Sequence, residues 1–393
     1  MKIFSLVLLL AVSQTSSCQK TGNISIGIIE TVYSPTLQED RKLWIYNPGS
    51  RATNDRYPVL YLLDAEEHFA STVGMIKQMN GRWPNMIVVG ITNTNRTRDL
   101  TPTSGSSQGI RGANNFMQFI EKELIPHMDS LYPTAPYRIL SGHSLGGLTV
   151  IHTLLNNPCL FNAYIAIDPS LWWNDQKLIK QAKQDLSSKK FQNKSLFVGR
   201  ANNMPPGMDT LTALKDTTSY TVLYRSVADF VRALRNPGNS GLRLTAKFYP
   251  EESHGTVQLN GQYDALKFLF SYYQFRTSVF ELNPNMNIDS ALIFHFKNIS
   301  RQLGYTVLPS RELVNNLGYT CMGIKKWDKA KVFFQLNIQN YPQDANAYDS
   351  MGDLYVAIGK FKEAMGNFEK ALTLGNDADT KRKLDELRKQ GSK

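Results

Sequence analysis

The residues with the clearest chemical potential form a short turn at 142–147, with the sequence GHSLGG. An apolar run at 137–140 predicts a buried strand before this turn, and the apolar segment 148–155 predicts a helix after it. A Gly-x-Ser-x-Gly turn between a strand and a helix holds its serine hydroxyl exposed at the apex. Free N–H groups and the dipole at the amino end of the helix would stabilise an anion formed there. We therefore predict that Ser144 is a nucleophile.

A serine nucleophile needs a general base and a carboxylate that orients the base. Among the six histidines, His254 alone follows Ser144 in a loop after the last predicted strand, so we predict that it is the base. Asp209 is the first choice for the acid because it follows a predicted strand and precedes the histidine. Other possibilities stay open: Asp216, Glu251, Glu252, or a Ser–His pair with no strong third member.

The elements that must position these groups alternate between strands and helices. Segments 27–33 and 40–47 alternate apolar and polar residues, which predicts antiparallel edge strands. A near-continuous apolar run predicts a central parallel strand, buried on both faces, at 57–64. Buried strands are also predicted at 85–91 and 137–140, and further strands at 161–168, 194–200 and 242–249. The predicted fold class is therefore α/β, with a mostly parallel central sheet flanked by helices.

Ligands in open parallel sheets bind outside the carboxyl ends of the strands. Arg96 and Arg98 follow the strand predicted at 85–91 and would face a polar or acidic substrate there, although a solvated loop is an equal alternative. Trp172 and Trp173 follow the strand predicted at 161–168 and would line a substrate cleft, with core packing as the alternative. We name these four residues as candidate substrate-binding residues.

The turn at 142–147, together with Ser253-His254-Gly255 after the last strand, resembles the esterase branch of the α/β-hydrolase superfamily. That branch includes feruloyl esterases, S-formylglutathione hydrolase, mycolyltransferases and siderophore esterases of the enterobactin and salmochelin type. The resemblance covers roughly residues 25–275, and segment 95–102 looks most like the siderophore esterases. It implies a lidless, fairly open site, no cofactor, and hydrolysis of an ester or thioester through an acyl-enzyme.

A hydrolase of this fold holds the developing oxyanion with two backbone N–H groups. Leu145, directly after the nucleophile, would supply one of them. Ala65 or Glu66, in the loop after the strand predicted at 57–64, would supply the other.

The sequence changes character at about residue 310. Leu317-Gly318, Ala330 and Phe334 match the tetratricopeptide pattern, and a shift of 34 residues gives Met351-Gly352, Ala364 and Phe368. We predict a hydrolase domain at 22–278 and a helical tail at 285–393, with repeats at about 311–344 and 345–378. The tail would dock a protein or peptide, or it would only cap the hydrolase or mediate self-association.

The amino terminus has a basic start, an apolar run and then small polar residues, which is the pattern of a secretory signal peptide over residues 1–18. We therefore expect an exported protein, periplasmic or secreted. Cys18 stands where a bacterial lipoprotein carries its lipidated cysteine, so a membrane anchor at Cys18 is the alternative. Thr15 occupies the position where such signals prefer Leu.

Composition argues against several classes of function. The formal net charge is +11, but Lys and Arg are spread along the chain without the basic stripe of a nucleic-acid-binding protein. After the leader only Cys159 and Cys321 remain, and no metal-ligand spacing appears. We therefore expect no nucleic-acid partner, no disulfide framework, and neither a metal nor another cofactor.

Together these patterns predict an exported serine hydrolase that cleaves a small-molecule carboxylic ester. The most specific substrate hypothesis is a siderophore such as a catecholate trilactone. Two alternatives stay open. The first is a carbohydrate-ester (feruloyl or acetyl) or general carboxylesterase, and the second is a binding module with a hydrolase fold that acts through its repeats.

Overall fold

The computed structural model describes residues 23–49, 55–79, 81–102, 112–185, 191–234, 241–278 and 287–391. The predicted signal peptide and Cys18 lie outside these residues. Within the described ranges, no helix combines the length and apolar character needed to cross a membrane.

An eight-stranded sheet forms the centre of the protein. Its strands are Ile28–Ser34 (β1), Glu39–Tyr46 (β2), Tyr57–Leu63 (β3), Ile87–Ile91 (β4), Thr134–His143 (β5), Ala163–Ile167 (β6), Lys194–Ala201 (β7) and Leu242–Tyr249 (β8). The order across the sheet is β1-β2-β4-β3-β5-β6-β7-β8. β2 pairs antiparallel with both β1 and β4, whereas all other neighbours are parallel. The predicted α/β-hydrolase fold class, including the antiparallel edge, is confirmed.

The central strands are apolar on both faces because each face of the sheet carries its own core. Tyr61 and Leu63 of β3 point into one core, and Leu60 and Leu62 of the same strand point into the other. Every residue of β4 and β6 is buried. This double burial specifies the register of the strands and brings the carboxyl ends of β3, β5 and β6 to one edge of the sheet.

Helices connect the strands and cover both faces of the sheet. They are Ala65–Gln78 (α1), Arg96–Leu100 (α2), Gly112–Phe119 (α3), Ile125–Leu131 (α4), Leu145–Asn156 (α5), Trp173–Asp185 (α6), Thr210–Lys215 (α7), Val222–Leu234 (α8) and Val257–Leu269 (α9). The helix predicted at 112–130 is present, but a π-helical segment, Ile120–Leu124, joins α3 to α4. Pro126 follows this segment and has no N–H to continue the regular ladder.

Six further helices form the tail: Ile288–Leu303 (α10), Arg311–Gly323 (α11), Trp327–Asn340 (α12), Ala345–Ala357 (α13), Phe361–Leu374 (α14) and Ala378–Gly391 (α15). α11 and α13 begin 34 residues apart, as do α12 and α14. A Cβ on Gly318 would come within 2.4 Å of the Phe334 ring, and one on Gly352 within 2.4 Å of Phe368. The two glycines thus allow the same close pairing of helices twice. That the tail consists of tetratricopeptide repeats, and where each repeat begins and ends, stays a prediction.

The tail packs against the hydrolase part at the amino ends of the strands. Ile299 and Leu303 of α10 are buried in the same core as Phe270. A cavity of about 660 Å³ between the two parts is lined on one side by Tyr57, the first residue of β3. Ser144 follows the carboxyl end of β5, which runs parallel to β3, so the tail and Ser144 lie at opposite ends of the sheet.

Candidate active site

Ser144 lies in the turn that joins β5 to α5. Its backbone has φ 58° and ψ −117°, a conformation that non-glycine residues adopt only when the surrounding structure demands it. The turn is so tight that a Cβ on Gly142 would come within 2.5 Å of the backbone of Gly146. Glycine at 142 therefore permits the strained turn that presents the serine.

Three side chains that follow three different strands meet at this turn. Ser144 Oγ lies 3.0 Å from His254 Nε2, and His254 Nδ1 lies 2.6 Å from Asp168 Oδ2. His254 is carried by the loop between β8 and α9, and Asp168 directly follows β6. A hydroxyl, an imidazole and a carboxylate in this series have the geometry of a nucleophile, its base and the orienting acid.

The carboxylate of Asp168 is fully buried and receives hydrogen bonds from all sides. Its Oδ1 accepts the backbone N–H of Ala201 at 3.0 Å. Its Oδ2 accepts the side-chain amide of Asn203 at 2.6 Å in addition to His254. These donors replace the water that a carboxylate loses on burial, and they fix the direction in which it faces the imidazole.

The four acids proposed from the sequence have other partners. Asp209 is an exposed N-cap whose Oδ1 accepts the first N–H groups of α7 at 2.8 and 2.9 Å. Asp216, just after α7, accepts two threonine hydroxyls at 2.6 and 2.7 Å. Glu251 is exposed, and Glu252 accepts the side-chain amide of Asn260. The first choice, Asp209, is therefore corrected to Asp168, because the carboxylate in hydrogen-bond contact with His254 Nδ1 is that of Asp168.

A second hydroxyl lies against the nucleophile. Ser170 Oγ is 3.2 Å from Ser144 Oγ, and the N–H of Ser170 donates to the carbonyl of Ser144 at 3.0 Å. Ser170 is buried and stands two residues after Asp168. The short segment after β6 thus contacts both the base and the nucleophile.

The predicted oxyanion donors lie at two neighbouring helix starts. Leu145 is the first residue of α5, and Ala65 and Glu66 are the first two of α1. N–H groups at these positions have no acceptor within their own helix. A Cβ on Gly146 would meet Asp64 Oδ2 at 3.2 Å, so the start of α1 lies beside the start of α5. Two helix dipoles therefore begin next to Ser144.

Arg96 and Arg98 lie on the same short helix, α2, but make different contacts. Arg98 donates from Nε to Asp99 at 2.6 Å and from its two terminal nitrogens to Glu39 at 3.1 and 2.7 Å. Its hydrogen bonds hold the pKa of Glu39 down at about 2. Arg98 thus anchors α2 to β2, with each of its three nitrogens engaged in a hydrogen bond.

Arg96 lies closer to the nucleophile. Its side chain, 37% exposed, forms a two-pronged ion pair with the buried Asp64 at 2.7 and 2.9 Å. The same guanidinium lies 3.4 Å from the carbonyl oxygen of His143, the residue before Ser144. Arg96 therefore has a fixed position beside the turn at 142–147, which we call the elbow, and its guanidinium is partly open to solvent while paired with Asp64.

The two tryptophans follow Ser170 directly. Trp172 is exposed, whereas Trp173 is partly buried and packs on the core. Their ring centroids are 5.6 Å apart, and the N–H of Trp173 donates to the carbonyl of Ser170 at 3.1 Å. Both rings therefore lie on the segment that contacts the nucleophile.

Three histidine rings stand in a row behind the site. The rings of His254 and His143 are 4.5 Å apart, and those of His143 and His68 are 5.8 Å apart. Burial, reinforced by the neighbouring histidines, lowers the pKa of His143 to about 4. Burial also lowers the pKa of His68. At neutral pH the His143 ring is therefore uncharged, and it packs against the base without adding a competing cation.

Comparison with known proteins identifies the family. The Esterase family model, described as "Putative esterase", matches residues 34–214. An IroE-like serine hydrolase from Shewanella oneidensis, whose crystal structure is known, is 30% identical with a TM-score of 0.64, over 80% of this chain and 99% of that one. The chain belongs to this esterase family. Membership confirms the predicted enzyme class, an ester hydrolase with a serine hydrolase fold.

Two curated relatives in this family carry substrate names. Ferri-bacillibactin esterase BesA of Bacillus subtilis is 32% identical over 40% of this chain and 62% of its own length. Siderophore triacetylfusarinine C esterase of Aspergillus fumigatus is 32% identical over 47% of this chain and 67% of its own. The chain thus spans about two thirds of the length of these relatives.

The arrangement of hydrolase and tail has a structural counterpart. An uncharacterised protein from Capnocytophaga ochracea matches 92% of this chain and 99% of its own with a TM-score of 0.65 and 21% identity. At that identity the match shows the fold alone, and it extends well beyond the esterase sheet into the helical tail.

The sequence analysis does not single out Asp168, Asn203 and Ser170, which lie at the candidate site. The strand predicted at 161–168 has Asp168 as its last residue. The signal that would have found it is a lone carboxylate at the carboxyl end of the strand beside the nucleophile strand.

Within the described ranges, no group of three or more His, Cys, Asp or Glu side chains is arranged to hold a metal ion.

Proposed function

We propose that the protein hydrolyses a carboxylic ester through an acyl-enzyme on Ser144. The observation that carries this proposal is the continuous contact from Ser144 Oγ to His254 at 3.0 Å and from His254 to Asp168 at 2.6 Å. A binding module that uses only its repeats would have no need for this series, which ends on a buried carboxylate with further hydrogen-bond donors. The geometry supports the following catalytic roles.

In the first step His254 Nε2 takes the proton of Ser144 as the hydroxyl oxygen attacks the ester carbonyl. Asp168 holds the Nδ1–H of the ring and stabilises the imidazolium that forms. The N–H groups of Leu145 and of Ala65 or Glu66 hold the oxyanion, and His254 then protonates the leaving alcohol. Water activated by the same ring attacks the acyl-enzyme, releases the acid and restores Ser144.

For the substrate we propose a siderophore ester such as a catecholate trilactone. Two family relatives are named as siderophore esterases. The Arg96 guanidinium, beside the elbow and 37% exposed, provides a cation for an anionic substrate group. The formal net charge of +11 favours the approach of such a substrate from solution.

We also propose that the protein acts after export, in the periplasm or outside the cell. The support is the pattern of residues 1–18, which is that of a signal peptide, with lipidation of Cys18 as the anchored variant. A protein or peptide partner for the tail stays a proposal that rests on the repeat pattern alone.

The direct test is turnover of short-chain 4-nitrophenyl esters by the purified protein and by Ser144→Ala. We expect kcat to fall roughly 10⁴-fold or more in the variant, because the nucleophile is lost. Labelling by a fluorophosphonate probe should disappear with it. Ser130→Ala removes an exposed serine on α4 and should keep both properties. Undiminished turnover or labelling in a folded Ser144→Ala protein would refute the assignment.

A further inference from the structure

The hydroxyl of Ser170 is held against the nucleophile by backbone hydrogen bonds. The N–H of Ser170 donates to the carbonyl of Ser144 at 3.0 Å, and the N–H of Ser144 donates to the carbonyl of Ile167 at 3.1 Å. The segment that carries Ser170 begins at Asp168, whose backbone has a positive φ of 40° and whose N–H donates to the carbonyl of Gly199 at 2.9 Å. Because Ser170 is also buried, its hydroxyl has a fixed position 3.2 Å from Ser144 Oγ.

The direction of the hydrogen bond between the two hydroxyls follows from the partners of His254. The carboxylate of Asp168 only accepts hydrogen bonds, so Nδ1 of His254 carries the proton at this contact. In a neutral imidazole Nε2 is then an acceptor, and it takes the single proton of the Ser144 hydroxyl across the 3.0 Å contact. Ser144 has no second proton, so the hydroxyl of Ser170 donates to Ser144 Oγ. The nucleophile oxygen therefore has two polar neighbours, a base that removes its proton and a donor that faces its lone pair.

The strength of the bond from Ser170 depends on the charge of Ser144 Oγ, because a hydrogen bond to an ionised acceptor is much stronger than one to a neutral acceptor. In the resting protein Oγ belongs to a neutral hydroxyl. During attack its lone pair enters the new bond to the carbonyl carbon, and in the acyl-enzyme Oγ is an ester oxygen, which accepts hydrogen bonds weakly. The bond from Ser170 gains most when the C–Oγ bond breaks, since negative charge then returns to Oγ.

We propose that Ser170 is a catalytic residue for deacylation, in which its hydroxyl stabilises Ser144 Oγ as the leaving group. Water attacks the acyl carbon and loses a proton to His254. The C–Oγ bond then breaks, its electron pair goes to Oγ, and Oγ takes the proton back from Nε2. Ser170 keeps its own proton throughout and contributes only a hydrogen bond. The inference rests on the proposed function and deepens it, because it assigns a residue to one half of the same reaction.

The test separates attack by Ser144 from its release. A fluorophosphonate probe reports attack alone because its adduct is stable, whereas turnover of 4-nitrophenyl acetate also requires release of Ser144 from the acyl-enzyme. In Ser170→Ala we expect labelling at an unchanged rate and a deacylation rate constant that falls about tenfold, the value of one hydrogen bond. Stopped-flow release of 4-nitrophenol measures acylation in the burst and deacylation in the phase that follows. The acyl-enzyme should accumulate on the variant.

Ser226→Ala is the matched control. Ser226 is a buried serine on α8, a helix that carries no residue of the site, and its hydroxyl donates to the carbonyl of Leu223 at 2.9 Å. This variant also loses a buried hydroxyl, but its labelling and deacylation rates should be unchanged. If labelling of folded Ser170→Ala slows as much as deacylation, Ser170 has a structural role only, and if deacylation is unchanged, it has no role in release. Either result overturns the proposal. Turnover or labelling that persists in Ser144→Ala would instead refute the proposed function.

Discussion

The carboxylate of Asp168 is surrounded only by hydrogen-bond donors, which makes Asp168→Asn an informative substitution. Oδ1 faces the N–H of Ala201, and Oδ2 faces the amide of Asn203 and Nδ1 of His254. An asparagine has one oxygen and one NH₂ group in place of two oxygens. If its NH₂ faces His254, Nδ1 of the ring must accept that hydrogen bond, so the ring proton moves to Nε2. A protonated Nε2 cannot accept the proton of the Ser144 hydroxyl. If its NH₂ faces Ala201, two donors meet in a fully buried position.

Both orientations have a cost that can be estimated. A buried donor without an acceptor destabilises the fold by about 1–3 kcal/mol. The wrong tautomer of the base is more costly to the reaction, and the same replacement in the serine-protease triad lowers kcat about 10⁴-fold. That factor corresponds to about 5.5 kcal/mol of activation free energy. We therefore expect Asp168→Asn to remain folded with a modest loss of stability and to lose roughly 10³–10⁴-fold in kcat.

Asp209→Asn is the matched control. Asp209 is exposed and caps α7, and asparagine caps a helix about as well as aspartate. This variant should keep kcat and stability close to those of the unmodified protein. The assay is turnover of a 4-nitrophenyl ester, with urea unfolding to confirm the fold. The reasoning is refuted if folded Asp168→Asn keeps more than about a tenth of kcat, or if the large loss appears in Asp209→Asn.

Two further predictions concern the buried ring of His143 and the ion pairs of Arg98. The pKa of His143, about 4 in the fold and about 6.5 in the unfolded chain, means that folding favours the neutral ring. The contribution of His143 to the free energy of unfolding is therefore fully present above about pH 6.5, and about 2 kcal/mol of it is lost by pH 5. Urea unfolding at pH 7 and pH 5 should show a smaller difference for His143→Phe, and an unchanged difference would contradict the estimate. Arg98→Ala removes donors from Glu39 and Asp99, so it should cost about 1–2 kcal/mol of stability and leave KM unchanged. A raised KM at full stability would instead place Arg98 in the substrate site.

Much of the fold is predictable from this sequence because its signals are local. A strand buried on both faces needs an uninterrupted apolar run, which is what segments 57–64 and 85–91 show. The tight elbow needs Gly142, which is visible in the sequence. In the tail, each close helix pair needs a glycine opposite a large ring, and the spacing of 34 residues repeats that requirement.

The acid of the site is not predictable in the same way. Asp168 and His254 are 86 residues apart, and chain order admits both Asp168 and Asp209 before the histidine. What separates them is burial. One carboxylate receives Ala201 and Asn203 inside the protein, while the other caps a helix in solvent. The burial of each carboxylate is not visible in its neighbouring residues, so the sequence signal for Asp168 is only its position at the carboxyl end of the strand beside the nucleophile strand.

The two arginines on α2 show the same limit at shorter range. They are two residues apart on one short helix and are chemically identical. Arg98 nevertheless pairs with Glu39, while Arg96 lies beside the elbow. Which of them faces the site depends on the position of β2, a strand next to the edge of the sheet that comes more than fifty residues earlier in the chain. The sequence therefore predicts that an arginine lies near the site, but it does not indicate which of the two.

The position of the tail limits what it can do for the reaction. It packs at the amino ends of the strands, whereas the nucleophile follows their carboxyl ends. β3 alone separates the two ends by seven residues, or roughly 23 Å. The tail residues that pack at this end of the sheet therefore lie away from the ester carbonyl. The contact that links the tail to the sheet is apolar: Ile299 and Leu303 are buried in the same core as Leu60 and Leu62 of β3. We therefore expect the tail to affect the stability of the sheet that carries Ser144, and we expect substrate selection to rest on the groups at the opposite edge.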